Sequence, residues 1–128
     1  MFEQSKAFSG FSVDDIAEAK RFYGDALGLS VTEANGMLSL VTPGDRVTLI
    51  YPKGEQHVPA NYTILNFPVD DIDAAVDELA SRGVEMTMFP GMPQDDKGIM
   101  RGRAAGQGPD IAWFTDPAGN VLSVLQGD

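Results

Sequence analysis

The residues best suited to chemistry occur in a repeat. "FSVDDI" at 11–16 and "FPVDDI" at 67–72 differ at one position and set out two carboxylate pairs, Asp14-Asp15 and Asp70-Asp71. Adjacent carboxylates could do acid–base work or hold a metal ion. The same residues also suit a place where a strand gives way to a helix. There a carboxylate accepts hydrogen bonds from unpaired backbone N–H groups and meets the positive end of the helix dipole. Asp15 and Glu18 have capping-box spacing, and two copies at one structural place favour the local role. His57 is the only histidine and lies in "PKGEQHVPAN" at 52–61. A 2-His-1-carboxylate iron site needs two, so a surface role is expected for His57. No spacing suggests a Ser-His-acid or Cys-His arrangement. "GQG" at 106–108 is followed by Pro109, where a phosphate-binding helix would have to begin, and reads as a turn. Arg101 and Arg103 could hold a carboxylate or phosphate of a ligand; the alternative is that they pair with the chain's own acids or stay solvated.

Composition narrows the classes. The chain has 128 residues, 43% apolar and 22% charged, as a single globular domain has. No apolar run reaches the ~20 residues of a membrane helix, and no secretory signal is visible at "MFEQSKAFSG". Cysteine is absent, which rules out disulfides and thiolate metal sites and fits a cytoplasmic location. A net charge of −10 repels phosphate backbones and would favour cationic small molecules. Neither a nucleic-acid nor a membrane partner is expected.

A common order of elements surrounds each repeat. Ile16, Ala19, Phe22, Tyr23, Ala26 and Leu27 recur at helical spacing before Gly28, and Ile72, Ala75, Val76 and Leu79 do so before Gly83. Asn35-Gly36 signals a hairpin, "TPGD" at 42–45 a further turn, and "DPAGN" at 116–120 joins two apolar runs. Matching Pro43 with Pro117 lays "RVTLIY" over "NVLSVL". The expected fold is α+β, with two βαβββ modules over residues 6–52 and 61–128 and a linker over 53–60. In the second module the second strand follows the helix directly, and residues 89–109, with five glycines and three prolines, form an insertion that reads as a lid or mouth loop.

The pattern resembles the vicinal oxygen chelate superfamily, which includes glyoxalase, extradiol dioxygenases and bleomycin-binding proteins. The resemblance rests on "FSVDDIAEAKRFYGDALGL" at 11–29, "LNFPVDDIDAAVDELASRGV" at 65–84 and "IAWFTDPAGNVLSVLQ" at 111–126. It implies paired modules that form a curved mixed sheet around a cleft, with helices on the outer face, and a homodimer. It also supplies a test. Metal-dependent members carry four inward ligands, His or Gln near the start of each first strand and Glu on each last strand. The matching positions here are Phe8, Ile64, Leu49 and Ser123, so the resemblance implies that the usual metal, and any cofactor, is missing.

Strand alternation extends the list. Gly10 and Ser12 should share a face with Phe8, Val47 and Tyr51 with Leu49, Tyr62 and Asn66 with Ile64, and Val121 and Leu125 with Ser123; Trp113 faces the cleft if Phe114 packs under the helices. The expected site is an apolar pocket of Phe8, Leu49, Ile64 and Trp113 with polar groups from Ser12, Tyr51, Tyr62, Asn66 and Ser123, and Arg101 at its mouth. Such a composition suits an organic small molecule bound without metal. Two alternatives stand beside it: a metal-dependent lyase, isomerase or dioxygenase taking ligands from Asp95, Asp96, Asp110 and His57, and a dimeric accessory module with no ligand.

Overall fold

The computed structural model describes residues 1–127 and divides the chain into two compact units, Met1–Val58 and Pro59–Asp128. The fold is α+β, with one four-stranded mixed sheet in each unit.

In the first unit the alternation of Phe11 and Val13 makes strand β1 (Ser9–Val13), and both side chains are buried. Asp15 then caps helix α1 (Ile16–Lys20), its Oδ1 accepting from the Glu18 N–H at 3.1 Å. The helix widens over Arg21–Ala26, where Leu27 N–H donates to the Phe22 carbonyl, five residues back, at 2.9 Å. This turn carries Tyr23, which is fully buried between Phe11 and Phe22, with ring centroids 5.7 and 5.1 Å away. Strands β2 (Ser30–Ala34) and β3 (Met37–Thr42) form a hairpin about Asn35 and Gly36. Both turn residues have positive φ, 56° and 75°, as the expected turn requires. Strand β4 (Arg46–Pro52) runs antiparallel to β3 and parallel to β1, giving the order β1-β4-β3-β2. Leu38, Leu40 and Ile50 join Phe11 and Val13 under the helix.

The second unit repeats this plan. Strand β5 (Thr63–Pro68) leads to Asp71, whose carboxylate accepts from the Ala74 N–H at 3.1 Å and caps helix α2 (Ile72–Ser81). Gln126 Oε1 takes a second unpaired donor, the Ile72 N–H, at 2.9 Å. Gly83, at φ 82°, ends the helix. Strands β6 (Met100–Arg101), β7 (Asp110–Thr115) and β8 (Val121–Gln126) complete the order β5-β8-β7-β6. Ile72 and Val76 pack toward buried Ala112, Phe114, Leu122 and Val124. The 116–120 turn is tied internally: Asp116 accepts from Asn120 N–H at 2.8 Å and from its Nδ2 at 3.0 Å, and Asn120 Oδ1 accepts from Ala60 N–H. The registers of the two units correspond, because Phe11 faces Ile50 as Phe67 faces Val124.

Two expectations about the second unit are corrected. The segment after Gly83 forms no strand at 84–88. Thr87 N–H donates from it to the Trp113 carbonyl of the sheet at 2.7 Å. The second strand is β6, inside the stretch expected to be an insertion. The physical reason lies in two side chains that order the intervening loop. Gln94 accepts from Phe89 N–H at 2.8 Å and donates to the Thr87 and Gly98 carbonyls at 2.9 Å each. Asp95 Oδ1 accepts from the N–H groups of Lys97 and Ile99, each at 2.9 Å. Ile99 is fully buried as a result. The stretch is therefore a packed loop leading into β6.

Candidate ligand-binding faces

Each sheet has one face under its helix and one turned away from it, called here the far face. Cα partners across a ladder share a face, so the registers assign the site residues.

On the far face of the first unit, Gly10, Leu49 and Ser39 form one row across β1, β4 and β3, and Ser12 pairs with Tyr51 beside it. Leu49, Ser12 and Tyr51 thus share a face, in the expected pattern. Phe8 precedes β1 and is 66% exposed. His57 is not a surface residue without a role in the fold. Its Nδ1 lies 2.8 Å from Ser12 Oγ, and the ring is half-buried. Forty-five positions separate the two residues, so no local spacing could have announced the pair.

On the far face of the second unit, Asn66, Ser123 and Trp113 form the equivalent row across β5, β8 and β7. Ser123 Oγ donates to Asn66 Oδ1 at 2.6 Å. Ser123 is fully buried, Asn66 exposed and Trp113 half-buried. Phe89, from the ordered loop, meets the Trp113 ring edge to face at 5.6 Å. Ile111 and Leu125 pair in the next row, with Met100 opposite Ile111. Strict alternation fails near the start of β5. A register shift between Thr63 and Leu65 pairs Thr63 with Val121, leaving Ile64 as the extra residue of a bulge. Tyr62 lies before the strand and is 68% exposed.

Arg101 sits in β6 and is held by acids of its own unit. Its Nη atoms donate to the two carboxylate oxygens of Asp73 at 2.8 and 2.9 Å, and its Nε to Asp95 Oδ2 at 2.9 Å. Lys97 joins the cluster through Asp77 at 3.0 Å and Asp73 at 3.3 Å. The Arg101 bonds hold the Asp73 carboxyl well below the usual carboxylate range, and Asp73 in turn raises Arg101. Burial alone would raise Asp95, but the Ile99 N–H, Arg101 and the Lys97 N–H outweigh it and lower the group. Arg103 lies 3.8 Å from the buried Asp110 carboxylate, which also accepts from the Arg103 N–H at 3.0 Å. Of the two readings given to these arginines by the sequence, the geometry displays pairing with the chain's own acids.

The fit of a metal ion can be judged from the donors. Phe8, Leu49 and Ile64 offer no oxygen, nitrogen or sulfur, and the Ser123 hydroxyl is engaged with Asn66. Among the described residues, no group of three or more His, Cys, Asp or Glu side chains could hold a metal ion. Of the four alternative ligands, His57 is bonded to Ser12, Asp95 to Arg101 and Asp110 to Arg103, and Asp96 is exposed. The residues at the four matching positions do not fit a metal centre.

A strand–helix–three-strand unit used twice, with matching registers and capped helices, defines a protein of paired βαβββ modules. The profile of the Glyoxalase/Bleomycin resistance protein/Dioxygenase superfamily matches residues 8–124, and the chain belongs to that family. No curated protein sequence matches the chain. Among solved structures, the chain is similar to TnmS3, an antibiotic binding protein from Streptomyces sp. CB03234, at 24% identity, with 96% of this chain and 97% of that one covered and a TM-score of 0.64. It is similar to the fosfomycin resistance protein FosX from Listeria monocytogenes at 14% identity, covering 95% and 92% with a TM-score of 0.68. The virulence protein STM3117 from Salmonella typhimurium matches at 20% identity over the full length of both chains, with a TM-score of 0.67. At these identities the likeness is one of fold. No helix among the described residues is long and apolar enough to cross a membrane.

Proposed function

We propose that the protein binds an organic small molecule through its far-face residues without using a metal ion. One observation carries this reading: the four positions at which metal-dependent relatives place ligands hold Phe8, Leu49, Ile64 and an engaged Ser123. Apolar groups would supply contact area, while polar groups would fix orientation, Ser12 and Tyr51 on the far face of the first unit and Asn66 on that of the second, as in ordinary small-molecule sites. The similarity to an antibiotic binding protein supports the class of ligand. The net charge of −10 favours a neutral or cationic molecule and argues against nucleic acid. A homodimer is the working form we propose, in keeping with the family resemblance.

A thermal-shift screen of aromatic and cationic compounds, run with and without chelator, tests the reading. Hits that survive the chelator are the expected result. Stoichiometric iron, manganese, nickel or zinc in protein purified without chelator would overturn the metal-free reading. A screen with no hits would overturn binding itself.

A further inference from the structure

Residues 86–100 hold four of the six methionines, Met86, Met88, Met92 and Met100. We propose that two of them, Met86 and Met88, form a clip for a soft monovalent cation of the copper(I) or silver(I) class. The proposal goes beyond the binding reading above and does not depend on it.

The two side chains meet at Gly98. A β-carbon built on that glycine would stand 2.7 Å from Met86 Cβ, 3.6 Å from Met86 Cγ and 3.7 Å from Met88 Sδ. Residues two apart on an extended segment point to one side, and the shared contact with Gly98 places these two together. Gly98 has φ 85° and no side chain to part them. The residue between them is held from both sides. Thr87 N–H donates to the Trp113 carbonyl at 2.7 Å, and the Thr87 carbonyl accepts from Gln94 Nε2 at 2.9 Å. The backbone of the clip is thus fixed, while the rotatable bonds of each methionine let its thioether swing onto one ion. Met88 is 57% exposed and Met86 half-buried, so an ion arriving from solvent meets Met88 first.

A thioether is a neutral, polarisable donor. It suits copper(I) and its heavier neighbour silver(I), and it is a poor ligand for divalent ions that take carboxylate or imidazole. Two sulfurs suffice, because these ions readily accept two donors in line. No cysteine is present to compete for them, and a net charge of −10 draws cations to the surface. The clip uses none of the four strand positions at which metal-dependent relatives place ligands, so it leaves the metal-free reading of those positions intact.

Silver nitrate in chloride-free buffer tests the clip on protein carrying 13C-methyl methionine, which gives six methyl signals. Single Met→Leu variants assign the signals and change side-chain volume little. The Met86 and Met88 signals should move together and stop at one equivalent, while those of Met1 and Met37 stay in place. Met1 is 98% exposed. Movement that follows exposure, with Met1 first, marks an adventitious ion only and overturns the proposal. Met86→Leu and Met88→Leu should each weaken silver binding about a hundredfold, since the second donor of a chelate acts at a high effective concentration. Met92→Leu removes a thioether from the same loop and should bind as the natural protein does. Unweakened binding in either clip variant, or an equal loss in all three, overturns the pair. Thermal melting of the variants checks their fold; where one melts early, the methyl shifts of the natural protein decide. Failure here leaves the organic-ligand reading standing, and a thermal screen without hits leaves the clip standing.

Discussion

Replacing Asp71 with alanine separates its two possible roles. In the structure Asp71 accepts one hydrogen bond, from the Ala74 N–H at 3.1 Å, at the start of a ten-residue helix. Losing an N-cap of this kind costs about 1 kcal/mol. For 128 residues unfolding in one step, an entropy of ~2.1 cal/mol/K per residue gives roughly 0.27 kcal/mol/K, so the melting temperature should fall by roughly 4 °C. The loss stops there because Gln126 still accepts from the Ile72 N–H. Asp15→Ala should cost a similar amount, since Asp15 makes the same bond at the same distance. The two caps belong to different units, so the double variant should lose roughly 8 °C if the effects add. Asp71→Asn keeps an oxygen acceptor and should recover most of the loss. The assay is thermal denaturation followed by circular dichroism, with ligand affinity measured in parallel. If Asp71→Ala melts with the natural protein but loses ligand binding, the capping argument is wrong and the carboxylate pair belongs to the site.

Two further predictions concern the second unit. Asp73 titrates below the usual carboxylate range because of Arg101, so its contribution to stability is complete above about pH 4 and disappears as the pH falls through the folded value. Arg101→Met should therefore flatten the acid side of the pH–stability curve and speed amide exchange at Ile99; an unchanged acid limb would show that the cluster does not hold the loop. At Gly102, an added Cβ would collide with the Pro109 carbonyl oxygen and crowd that of Gly108. Gly102→Ala should destabilise by roughly 1–3 kcal/mol in urea denaturation, and a neutral result would mean that the β6–β7 connection gives way easily.

The features that the sequence announces are those set by near neighbours. Asp15 and Asp71 each act three residues along the chain, and Asn35-Gly36 acts within its own turn. The far-face assignment of Asn66, Ser123, Leu49 and Tyr51 follows from period-two alternation, which needs only the strand. Alternation misled at Ile64, because a bulge arises from how β5 meets β8, not from β5 itself. The place of β6 was hidden for a similar reason. Gln94 and Asp95 order their loop through several bonds at once, and Arg101 reaches Asp73 across 28 positions. The Ser12–His57 contact depends on where the 3-10 turn at Gly54–Gln56 delivers the chain, which hydropathy does not encode.

The matched registers make the two sheets interchangeable as templates for engineering. Gly10, Leu49 and Ser39 occupy the seats that Asn66, Ser123 and Trp113 occupy in the other unit. Three substitutions would copy one triad onto the other sheet. Gly10 is the difficult seat, because a β-carbon there would stand 3.2 Å from the Leu49 carbonyl oxygen. Transplantation would therefore require a slight spreading of β1 from β4, a cost the native second sheet does not bear.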